Sequence, residues 1–201
     1  MQITQIDLPD VDPARLKAAV RAAMEQQTEE MATPSVAPGV LKVKLPSLER
    51  LRVGAQEAQA DGDPSELARY FQALVELGYL VAAADGLADE ERQVLAELVE
   101  HATGKAVDQP ALKLHFQDLE EGVGMLGRKE RMQRAAAEFE DHVSRCEAIS
   151  FAALVAVADG KLGAAEARAL LELGEIFGLS EGEVRAVLGQ VVQSIRLGLA
   201  E

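Results

Sequence analysis

The sequence predicts an all-α protein: a helical bundle with two pseudo-symmetric helix-turn-helix halves, preceded by a helical and extended N-terminal arm. Three observations carry that expectation. Ala and Leu fill the apolar positions while aromatics make up only 3% of the chain, which suits close-packed helices better than strands. Apolar residues recur at helical spacing between capping signals. The stretch from Tyr79 to Leu98 also recurs, with one residue of slack, from Leu154 to Leu173.

Along the chain, Asp12-Pro13 reads as an N-cap with proline at the first helical position, opening a helix to about Met31. Ala32 to Pro46 holds four residues hostile to helix, Pro34, Pro38, Gly39 and Pro46, and Val40 to Leu45 within it reads as extended. A short helix from Ser47 to Ala60 leads to the Asp61-Gly62 turn. The chain therefore divides into an arm with a proline-rich linker, 1–62, and a helical domain, 63–201. The arm is expected to be separable.

In the body, Asp63 caps, Pro64 opens the helix and Glu66 completes a capping-box-like pair. Leu67, Phe71, Leu74, Val81 and Ala84 then repeat up to Asp85-Gly86. Further helices are expected from Asp89 to Thr103 and from Pro110 to the glycines at 122, 124 and 127. One long helix should run from Arg128 to Asp159-Gly160, another from Ala164 to Phe177, and the last from Ser180 onward. Nothing in the body reads as a strand.

Charge narrows the function. With 34 acidic and 20 basic residues the net charge is −14, so nucleic acid and anionic membrane surfaces are repelled, whereas cations and basic proteins are not. Cys146 is the only cysteine, which fits a reducing compartment. The opening MQITQIDLPD has neither part of a signal peptide, and the apolar run through Ala152 to Ala158, which begins at Phe151, is too short to span a bilayer. A cytoplasmic location without membrane insertion is expected.

The duplicated turn is the informative feature. Asp85 matches Asp159, Gly86 matches Gly160, and Glu91 matches Glu166. Each Asp ends a helix, where the dipole disfavours negative charge, so something should offset the cost. One reading is a cap, the carboxylate accepting N–H groups of the next helix. The other is that Asp85, Asp89 and Glu91, or Asp159 and Glu166, supply oxygen ligands to a hard divalent cation. An EF-hand is excluded, since its twelfth position falls on Ala96 or Leu170, and on Gln72 for the Asp61 loop.

An Ala-rich buried helix, Ala-Asp-Gly, a spaced Glu and a helix ending near Gly-Leu-Ser together resemble the TerB-like family of tellurite-resistance and stress-associated proteins. The close stretch is Ile149 to Val184, and Leu77 to Gly104 is its second copy. The resemblance implies a helical bundle, a non-enzymatic role, acidic residues that bind metal, and work within larger assemblies. Carried over by position, the metal candidates are Asp85, Glu91, Asp159 and Glu166, for calcium, magnesium, manganese or zinc. Gly163-Ala164-Ala165 departs from the family's polar capping residues.

Other signals are weaker. Gly122-Val-Gly124-Met-Leu-Gly127 satisfies G-x-G-x-x-G, but a charged helical segment precedes it where a dinucleotide site needs a strand. Glu138, His142 and Cys146 fall at four-residue spacing on one helical face, as the start of a zinc site would. No catalytic motif occurs, so the chain is read as a non-enzyme; an enzyme comes third among the readings, on acidic pairs that could serve general acid–base chemistry. The partner is expected to be a protein or a second copy of the chain. The alternative is an interaction adaptor or homo-oligomerising scaffold without metal, docking through Val40 to Leu45.

Overall fold

The computed structural model describes residues 6–7, 15–16, 18–20, 22–23, 45–60, 62–86, 89–158 and 161–200, and within them not the side chains of 6–7, 89–91, 94 and 200. The extended segment expected ahead of Leu45 lies outside these residues, as does the Asp159-Gly160 turn.

The chain is all-α. Helix α1 spans Leu48–Glu57 and α2 spans Glu66–Ala82, followed by a 3-10 turn, Ala83–Asp85. Then come α3 (Asp89–Ala102), α4 (Gln109–Leu126), α5 (Arg128–Ala136), α6 (His142–Ala156), α7 (Ala164–Phe177) and α8 (Glu181–Ala200). Polar caps set most of the starts. The Ser47 and Ser65 hydroxyls accept the N–H of Arg50 and Ala68, and the Asp108 carboxylate accepts that of Ala111. The α2 cap is thus Ser65, two residues after the expected Asp63.

Two sequence expectations fail. The long helix from Arg128 is broken at residues 137–141, because Asp141 caps a new helix by accepting the N–H groups of Val143 and Ser144 at 2.8 and 2.9 Å. Glu138 is thereby removed from the face of His142 and Cys146, and it pairs with Arg69 instead. The body also contributes a strand. Lys161–Leu162 (β2) pairs antiparallel with Ile6–Asp7 (β1), Ile6 opposite Leu162. A two-residue ladder leaves no periodicity to detect.

The core forms around α2 and α6, which pack along each other. Every residue from Ala148 to Ala158 is buried, including Ser150, whose hydroxyl donates to the Cys146 carbonyl at 2.7 Å. At the crossing stands Gly78, where an added methyl would meet Phe151 at 3.0 Å and Val155 at 3.3 Å. Helix α3 packs against α4, and α7 and α8 pack against α6 and against each other. The glycine motif is structural: Gly122 is buried, and its backbone lies against the Arg131 guanidinium that pairs with Glu76 at 2.7 Å. Burial raises the Glu76 carboxyl, and Arg131 opposes that shift.

Arm residues lie in the same core. Leu16, Ala19, Val20 and Ala23 are helical and buried, Gly198 of α8 backs onto Ala19, and Arg15 donates to the Leu199 carbonyl. Helix α1 lies on α2 through Leu51, Gly54 and Ala55. The Arg50 guanidinium sits 3.7 Å over the Tyr70 ring and pairs with Glu147, which also accepts the Tyr70 hydroxyl. Burial, followed by the Glu147 charge, pushes the Tyr70 phenol far up.

A methyl at Gly54 would lie 2.6 Å from the Leu67 carbonyl oxygen and 2.9 Å from the Phe71 Cβ. Gly54→Ala should therefore cost about 1–3 kcal/mol, and lower the melting midpoint by roughly 2–12 °C. Gly124 is also helical but faces open space, so Gly124→Ala should gain about 0.5–1 kcal/mol. Thermal melts of the two variants check both signs.

Candidate metal centre

The candidate site forms where the first turn meets the second half of the chain. The last part of α2, 77–82, is buried on every side, and the chain then tightens through Ala83–Asp85 and stops at Gly86. Gly86 has φ 102° and ψ 137°, a conformation closed to residues with a Cβ. The Asp85 carboxylate is left exposed beyond the last turn, and the 3-10 segment packs against α7.

From the other side, β2 delivers the chain to α7. Leu162 is fully buried and anchors the approach, while Lys161 points outward. Gly163 is the N-cap and has no side chain to offer. Glu166 compensates by reaching back, its Oε2 accepting the Gly163 N–H at 2.6 Å. The missing polar cap at Gly163-Ala164-Ala165 is thus replaced by a carboxylate three residues later.

These two turns bring the acidic groups together. A methyl built on Gly163 would lie 3.2 Å from Glu166 Oε2 and 3.6 Å from Asp85 Oδ2. Both carboxylates, one from each half of the chain, flank the space a Cβ would fill. Glycine keeps that space open. Two carboxylates so placed repel each other in water and present hard oxygen donors to a cation.

Of the four residues carried over by position, Asp85 and Glu166 are therefore brought together. Glu91 lies on α3 with its side chain outside the described residues, and so does all of Asp159. Among the described residues no group of three or more His, Cys, Asp or Glu side chains is arranged to hold a metal. Gly163 was not singled out as part of the site, although a glycine N-cap followed by Glu at the third helical position was there to be read.

The family model described as tellurite resistance protein TerB matches residues 71–188, more than half of the chain. The chain belongs to the TerB family. The TerB region runs from Phe71 in α2 to Leu188 in α8 and encloses both Asp-Gly pairs of the sequence, the candidate site and all four acidic positions. It leaves α1 and the arm outside. No curated protein and no solved structure matches the chain. Among the described residues of this TerB protein, no helix is long and apolar enough to cross a membrane.

The local role of Glu166 can be measured without metal. In chelator, Glu166→Ala leaves the Gly163 N–H without its acceptor and should cost about 0.5–2 kcal/mol. Glu166→Gln keeps an acceptor oxygen and should melt above the alanine variant. Equal midpoints for the two would show that the cap contributes nothing.

Proposed function

We propose that this TerB protein is a non-enzymatic, stress-associated module that holds a divalent cation between its two turn-bearing halves and works within a larger protein assembly. The observation that carries the reading is the convergence of Asp85 and Glu166 on Gly163. A cation there would offset the repulsion between the two carboxylates and tie α2 to α7. The oxygen donors suit calcium, magnesium or manganese better than a thiophilic ion. Glu91 and Asp159 are the further ligands that the family pattern supplies. The net charge of −14 favours a basic protein as partner.

One observation favours the second reading, an interaction adaptor or homo-oligomeric scaffold without metal. The Glu166 carboxylate already serves as the cap of α7, which is what a purely structural acidic pair would do.

Thermal melts separate the two. A ligand bound only by the folded state at a hundredfold excess over its Kd stabilises by about 2.7 kcal/mol, or roughly 5–11 °C for a chain of this size. Calcium, magnesium, manganese and zinc should be compared with a chelator at constant ionic strength. At least one of calcium, magnesium and manganese should raise the midpoint, and Asp85→Asn and Glu166→Gln should each abolish that rise. A flat midpoint in these three up to about a millimolar decides for the adaptor.

A further inference from the structure

Away from the acidic turn, three side chains from two helices form a connected row. His142 opens α6, and its Nε2 lies 3.1 Å from Glu183 Oε1 of α8. Its other ring nitrogen, Nδ1, lies 3.7 Å from the Sγ of Cys146, one turn further along α6. Glu183 is held in place by its second oxygen, which accepts both the N–H and the hydroxyl of Ser180 at 2.8 and 2.6 Å. Sequence spacing alone suggested Glu138 as the third member. The break before α6 removes that residue, and Glu183 supplies the carboxylate from another helix.

The row fixes the chemistry of the imidazole. Its two Ser180 bonds aim the Glu183 carboxylate at the ring, and Oε1 faces Nε2 as the acceptor. An acceptor at Nε2 requires the proton to sit there. In the neutral ring the Nδ1 lone pair then points at the sulfur. A histidine whose far N–H is bonded to a carboxylate is the standard arrangement of a metal-ligating imidazole. The separation also fits: zinc bonds of about 2.3 Å to sulfur and 2.0–2.1 Å to nitrogen, at angles of about 110–120°, put the two ligands about 3.5–3.8 Å apart.

We propose that Cys146 and His142 form a binding site for a single thiophilic divalent cation of the zinc class, with Glu183 as the group that orients the imidazole. The site is separate from the acidic junction and takes a different kind of ion. The cation bonds to Sγ and Nδ1, and the thiol proton leaves to solvent. Cys146 is 6% exposed, whereas the His142 side chain is 54% exposed, so the ion enters from the imidazole side and solvent completes its coordination.

Cobalt(II) is the probe, added to the full chain without air and with a reductant that contains no thiol. Cys146 is the only cysteine, so a near-ultraviolet sulfur-to-cobalt charge-transfer band reports this site and no other. The band should saturate at one equivalent and be erased by zinc. Cys146→Ser should abolish it, and His142→Ala should weaken binding more than tenfold. Glu183→Gln should keep the band but weaken binding about 10- to 100-fold, the usual effect of losing such a supporting carboxylate. Ser180→Ala, which disturbs the same helix start but leaves Glu183 facing His142, should bind more tightly than Glu183→Gln. Asp85→Asn should bind cobalt here as the wild type does, whatever becomes of the acidic junction. Absence of the band up to a millimolar overturns the proposal, as does a band whose affinity is unchanged in His142→Ala.

Discussion

The contact between α2 and α6 is the constraint on which the rest of the structure depends. The carboxyl-terminal part of each, 77–82 in α2 and 148–156 in α6, is buried on every side, and the two helices pack along each other. Their approach is set by Gly78, which lets the Phe151 ring lie against the α2 backbone. The remaining helices are layers around this pair. Helix α1 covers α2 through Gly54, while α7 and α8 cover α6. The core is built mostly of Ala, Leu and Val, and all five Phe and both Tyr are buried in it. Small changes of volume at the crossings are costly.

Fixing α2 and α6 also fixes the chain beyond their carboxyl ends. A buried helix end must turn where it reaches solvent, and α2 does so at 83–86. That turn carries Asp85 against α7, whose own start carries Gly163 and Glu166. The acidic pair is thus a consequence of core packing joined to two local solutions for ending and starting a helix.

Much of this was legible in the sequence, for identifiable reasons. Most of the body helices and the end of α2 at Asp85-Gly86 followed from apolar spacing and capping residues, and the buried part of α6 from the run Ile149 to Ala158. What escaped has physical causes too. Asp141 does not stand out as a cap because the apolar pattern continues across it through Phe139 and Val143. The β1–β2 pair is too short for alternation to show. The meeting of Asp85 with Glu166, and of Glu183 with His142, joins residues 81 and 41 positions apart, which no local pattern encodes. Helical spacing did find His142 and Cys146, but only the folded chain shows which carboxylate stands beside them.

The central claim is that α2 and α6 force Asp85 and Glu166 into one small volume. A double-mutant cycle of Asp85→Asn and Glu166→Gln tests it most directly, by denaturant unfolding in chelator at low and high salt. Facing carboxylates should give a coupling clearly beyond the roughly 0.3–0.5 kcal/mol scatter of independent sites, and salt should shrink it. The sign should show that neutralising one carboxylate removes a penalty that neutralising the other cannot remove again. Additive effects at low salt would contradict the account, because the two groups would then not share a site.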